Sequence, residues 1–88
     1  MKYFAVNIGG EWTSDSPLNE AVFNCKNKTE ARRCGKRYIR AWALQKDGED
    51  IRYIREITDA EYNERVNDRE NYMRNGYLKY RIGNWKLT

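Results

Sequence analysis

The chain has no histidine, two cysteines and one proline among its 88 residues, and no long apolar run. The missing imidazoles exclude histidine metal sites and histidine-based catalytic triads. Cys25 and Cys34 are too few for the disulfide framework that small secreted domains depend on, and their spacing is not that of a zinc site. They read as two reduced, partly buried thiols, able to pair only if the strand and helix that carry them lie side by side. No stretch approaches the roughly 18 apolar residues of a membrane span. The apolar part of Met1–Asn7 is too short for a signal peptide. A soluble protein of the cytoplasm is expected, the host cell's cytoplasm if the chain is viral. Repeats, low-complexity tracts and linkers are also missing, so residues 1–88 read as a single compact domain.

What is present is charge and aromatic surface. Charged residues make up 34% of the chain and aromatic ones 14%. Twelve rings (three Trp, seven Tyr, two Phe) are enough to nucleate a core and argue against disorder. A domain of this size buries about two-thirds of its unfolded surface or less, so its core is small and its stability modest.

The hydrophobic pattern changes period several times along the chain. Tyr3 to Ile8 is apolar and β-prone, and Gly9-Gly10 ends it. From Glu20 to Lys26 the residues alternate, with Ala21, Phe23 and Cys25 on one face and Val22 and Asn24 on the other, which predicts a second strand and a hairpin with a long loop. Asn27 with Glu30 has capping-box spacing and opens a helix. Ala31, Cys34, Tyr38 and Ala41/Trp42 supply the apolar stripe of that helix, and Asp47-Gly48 can stop it. A rival reading ends it near Gly35 and folds Tyr38–Leu44 and Ile51–Ile57 into a hairpin around Asp47-Gly48. Ile51 to Ile57 reads as a strand. Thr58 and Glu61 form a second capping box, followed by the i,i+4 pairs Glu61/Arg65 and Glu70/Arg74 and an inward stripe of Tyr62, Val66, Arg69 and Met73. Asn75-Gly76 closes this helix, and Leu78 to Leu87 reads as a last strand with a break at Gly83-Asn84.

The expected architecture is therefore α+β: a small, mostly antiparallel sheet of about four strands, in the order β-β-α-β-α-β, with two helices on one face. A split β-α-β, ferredoxin-like sandwich is the alternative if the second strand is only loop. An edge strand such as residues 77–87 can pair with a copy of itself into a homodimer.

The net charge of +4 hides a strong polarisation. Residues 28–46 carry seven bases against Glu30 alone, whereas residues 47–75 carry nine acids against five bases. Arg32, Arg33, Lys36, Arg37 and Arg40 share one side of the first helix, where five cations in nine residues repel one another. One account is a solvated face, partly neutralised by an acidic second helix beside it. The other is a face that binds a polyanion, either an RNA or DNA backbone or an acidic protein surface, with a steep salt dependence and no sequence reading. Trp12 and Trp85, both beside glycine-containing turns, are the aromatic side chains best placed to stack on unpaired bases; Tyr53, Tyr77 and Tyr80 are more ordinary core candidates. No standard nucleic-acid module is recognisable.

Signals for catalysis and cofactors are sparse. There is no Walker loop and no G-x-G-x-x-G, and the carboxylates Asp47, Glu49 and Asp50 lack the spacing of a calcium loop. No cofactor, metal or catalytic residue is assigned. The segment Tyr80-Arg81-Ile82-Gly83-Asn84-Trp85-Lys86, with the opening strand Tyr3–Val6, resembles small basic RNA-cleaving toxins of toxin–antitoxin pairs. That resemblance implies ribosome-dependent RNA cleavage, with Lys79, Tyr80 and Arg81 as its candidates. In that family helices follow the first strand directly, whereas residues 20–26 here read as a strand.

In overall style, and in its strand–helix unit from Ala21 to Arg33, the chain resembles the small accessory proteins of bacteriophages and mobile elements, anti-CRISPR inhibitors among them. The resemblance implies a stoichiometric inhibitor that occludes a host nucleic-acid-processing complex without chemistry. The expected contacts are Arg32, Arg33, Lys36, Arg37 and Arg40, with Trp12 and Trp85. A stand-alone RNA or single-strand-binding protein is the alternative.

Overall fold

The computed structural model describes residues 2–9, 19–41, 48–75 and 81–82, with the backbone alone at 69–75 and 81–82. Three strands, β1 (Lys2–Gly9), β2 (Glu20–Cys25) and β3 (Asp50–Ile57), form an antiparallel sheet with β1 in the middle. Helix α1 (Lys28–Ala41) links β2 to β3, and α2 (Asp59–Asn75) follows β3. The two-residue β4 (Arg81–Ile82) pairs with β2 in parallel. The fold is thus small and α+β. Of the last strand expected over 77–87, only Arg81–Ile82 lies within the described residues.

The N-terminal ends of both helices are set by their caps. The Glu30 amide donates to Asn27 Oδ1 at 2.9 Å, and the Glu61 amide donates to Thr58 Oγ1 at 3.1 Å. Each satisfies an amide that has no partner within its helix, worth about 1 kcal/mol. Residues 38–41 are helical, so the rival hairpin of Tyr38–Leu44 with β3 does not form. The full extent of the long helix beyond Ala41 lies outside the described residues. Gly48 takes the left-handed φ of 73° just ahead of β3, a conformation that suits glycine.

The central strand is covered on both faces. Phe4, Val6 and Ile8 pack with Ala21, Phe23 and Cys25 of β2, Ile51 and Ile54 of β3, and Ala31, Cys34, Tyr38 and Ile39 of α1. The alternate residue Ala5 packs on the other side with Val22, Ile57, Tyr3 and Tyr62 of α2. Successive strand side chains point to opposite faces, so α1 and α2 lie on opposite faces of the sheet. This corrects the expectation of two helices on one face. The physical reason lies in the connections. The β2–α1–β3 crossover runs across the sheet in one direction and β3–α2–β4 runs back in the other; crossovers of one hand then place their helices on opposite sides. The ferredoxin-like alternative required β2 to be a loop, and β2 is instead paired along its whole length with β1.

A bulge resolves the uneven spacing of isoleucines in β3. The ladder to β1 passes from Asn7–Tyr53 to Ile8–Ile51, with Arg52 as the extra residue. Ile51 and Ile54 therefore share the α1 face although they are three residues apart, and Ile57 turns to the α2 face. Cys25 and Cys34 are not joined in a disulfide, and both are buried in the α1-side core. Burial pushes the Cys25 thiol up to about 11 and raises that of Cys34 as well, so both stay protonated near neutral pH.

Candidate functional site

At about 100° per residue, Arg32, Arg33, Lys36, Arg37 and Arg40 cover an arc of roughly 140° on α1, while Ala31, Cys34, Gly35, Tyr38 and Ile39 fill the buried arc. The structure brings the five cations together on one face as the spacing expects. Arg32, Arg33, Lys36 and Arg40 are exposed and Arg37 is half-buried. Lys26 and Lys28, also exposed, extend the patch past the N-terminal end of the helix.

Two carboxylates border this face. Lys36 Nζ donates to Asp50 Oδ1 at 2.6 Å, with both side chains about half or more exposed. That bond, and the Ile51 amide donating to the same oxygen at 2.7 Å, hold the Asp50 carboxyl below its ordinary value. Glu49 and Asp50 line an open cleft of about 260 Å³ with Lys36, Ile39 and Arg40. Asp50 is therefore turned to a lysine, and Asp47, its companion in the carboxylate turn, lies outside the described residues. Acidic α2 does not lie beside the patch, because the sheet separates the two helices. Among the described residues, part of the neutralisation expected from α2 is instead supplied at one border of the patch, where Asp50 pairs with Lys36.

The other candidates are not brought to this face within the described residues. Trp12 and Trp85 lie outside them, as do Tyr77, Lys79 and Tyr80, and Arg81 is described by its backbone alone. Tyr53 is half-buried in β3.

A second polar cluster sits on the α2 face and was not foreseen. Glu20, at the start of β2, is fully buried. Arg55 of β3 grips it through Nε (2.8 Å) and Nη2 (2.9 Å), and Arg65 of α2 donates through Nη1 at 2.7 Å. Glu61 closes the ring by accepting from Arg55 Nη2 at 2.8 Å and from Arg65 Nη2 at 2.7 Å. Burial pushes the Glu20 carboxyl up, but the bonds from Arg55 and Arg65 outweigh it and hold the group below its ordinary value. The same bonds to Glu20 raise Arg55. Glu20 thus stays ionised and enclosed, an anchor between strand and helix. The inward stripe of α2 changes accordingly. Arg65 and Asp68 are buried, Tyr62 and Val66 are half-buried, and the side chains of Arg69 and Met73 lie outside those described. The signal available in the sequence was a charged residue amid strand apolars, Glu20 beside Ala21-Val22 and Arg55 between Ile54 and Ile57.

No known protein family matches the chain, and no curated protein or solved structure matches it either. No helix among the described residues is long and apolar enough to cross a membrane.

Proposed function

We propose that this chain is a non-catalytic binding protein that docks the basic face of α1 on the phosphate backbone of an RNA or DNA, and so inhibits or modulates a nucleic-acid-processing complex. The observation that carries this reading is the concentration of exposed Arg32, Arg33 and Arg40 on a helix that the sheet insulates from acidic α2. Like charges so placed cost stability at helical spacing, and a bound polyanion relieves that cost. Arginine forks suit phosphate oxygens, and a helix presenting about five such contacts binds without reading sequence. The resemblance in style to phage accessory proteins supports the setting of a host nucleic-acid complex.

The test is fluorescence anisotropy of labelled single-stranded RNA and duplex DNA, with the native chain and with Arg33→Glu/Arg40→Glu. Binding should weaken by about 10²–10³-fold between 50 and 200 mM salt if roughly five phosphates are contacted. The double reversal should lower affinity at least tenfold while the circular dichroism spectrum is unchanged. No binding to either nucleic acid at low salt would overturn the reading and direct the patch to an acidic protein surface.

A further inference from the structure

Asp50 is the first residue of β3 and stands at the border of the basic face of α1. Its backbone is fixed by strand pairing with Gly9, and its Oδ1 accepts from the Ile51 amide at 2.7 Å. Lys36 Nζ donates to the same oxygen at 2.6 Å, a short charge-assisted bond. The positive charge of Arg32, one turn earlier on α1, also acts on that carboxyl. Arg32, Arg33 and Arg40 make no ion pair among the described residues. The face therefore holds cations of two kinds, arginines open to a ligand and a lysine already held by an acid.

We infer that Asp50 withholds Lys36 from the phosphates that dock on α1, and so sets how many contacts the face makes and how tightly it holds bulk RNA or DNA. The inference rests on the polyanion-binding role proposed above and names the residue that restrains it.

Two features separate this bond from an ordinary surface pair. Exposed ion pairs are usually weak, in part because both side chains must give up freedom to meet. Here the strand and the Ile51 amide already hold the carboxylate, so pairing orders little more than the lysine. The second feature is what a phosphate would find at Lys36. The ammonium has three donors and could bridge two anions. Bridging Asp50 and a phosphate would set two negative groups side by side, and Glu49 adds a further carboxylate to the wall of the same cleft. Arg32 and Arg33 reach a ligand without that cost, because neither lines the cleft.

The experiment is a salt titration of one labelled DNA duplex with the native chain, D50N, D50N/K36Q and E30Q. D50N keeps an oxygen for the Ile51 amide and removes the charge that holds Lys36. E30Q removes one negative charge from α1 itself, at a residue that makes no ion pair among the described residues. D50N should steepen the slope of log K against log salt by about 0.9 and tighten binding about fivefold at about 0.15 M salt, the effect of one added phosphate contact. D50N/K36Q should return the slope to its native value. E30Q should keep the native slope, and circular dichroism should be the same for all four chains. Equal slopes for the native chain and D50N, with D50N/K36Q shallower than both, would place Lys36 on the phosphates already and overturn the inference alone. So would a steeper slope in D50N that survives K36Q, or one that E30Q reproduces. No binding by the native chain or by D50N at low salt overturns the inference together with the proposed function.

Discussion

Gly35 sits where α1 comes nearest the sheet. A Cβ built there would lie 2.9 Å from Val6 Cγ1 and 3.0 Å from Ile51 Cδ1. Val6 is fully buried in the central strand and cannot retreat, whereas the end of Ile51 can swing. Gly35→Ala gains about 1 kcal/mol of helix propensity, but overpacking of a tight core costs about 1–3 kcal/mol. The net effect expected is a loss of about 1 kcal/mol, read as a lower urea midpoint at unchanged slope. Glu20 is the opposite case, a residue whose charge rather than volume matters. Glu20→Gln keeps the shape but replaces the carboxylate facing the buried guanidinium of Arg65 by a neutral amide. Removing one partner from a buried pair costs about 3 kcal/mol. Neither role was legible as such. The sequence places Gly35 within the first helix and Glu20 at a strand start, but only the assembled sheet brings Val6 under one and Arg65 over the other.

At the scale of elements, α1 and α2 are attached to the sheet by different physics. Helix α1 buries an apolar stripe, and its spacing is visible in the sequence through Ala31, Cys34 and Tyr38. Among the described side chains, helix α2 offers Tyr62, which packs on Tyr3 with ring centroids 4.4 Å apart, and Arg65 with its carboxylates. A search for apolar periodicity passes over such a seam, which is why Arg65 and Asp68 were not foreseen among the buried positions of this helix. The caps at Asn27 and Thr58 were legible because a cap is local. The side of the sheet each helix takes was not, because it follows from the direction of two crossovers. The ionic seam makes α2 acid-sensitive. The folded-state pKa of Glu20 lies below its unfolded value. Its contribution is therefore complete above the unfolded carboxylate range, about 4.3, and is lost as pH falls through the lower folded value. Urea midpoints of the native chain should fall between pH 5 and pH 3, and those of Glu20→Gln should fall less. Equal pH dependence in both would remove Glu20 from the account of acid stability.

Among the described residues the charge is two-sided, basic on α1 and acidic on the first turns of α2, and this lets the proposed role of the α1 face be tested against net charge alone. The molecule measures 30 × 29 × 24 Å, so opposite faces lie more than two Debye lengths apart at physiological salt, where one is about 8 Å. The basic patch was legible from sequence because helical spacing alone assembles Arg32, Arg33, Arg37 and Arg40. Its insulation from α2 was not, because charge polarity along a chain says nothing of which sheet face each segment takes. Two substitutions of equal size in net charge should therefore have unequal effects on polyanion binding. Asp59→Asn/Glu64→Gln, at exposed positions of α2, raises the net charge from +4 to +6. Arg33→Gln/Arg40→Gln, at exposed positions of α1, lowers it from +4 to +2. If net charge governs binding, the first pair strengthens it about as much as the second weakens it. If the α1 face makes the contacts, the first pair leaves the slope of log K against log salt unchanged, and the second reduces that slope by about two, one per lost phosphate contact. Salt titrations of the native chain and both variants against the same duplex decide between the two, and matching slopes for all three would remove α1 from the binding surface.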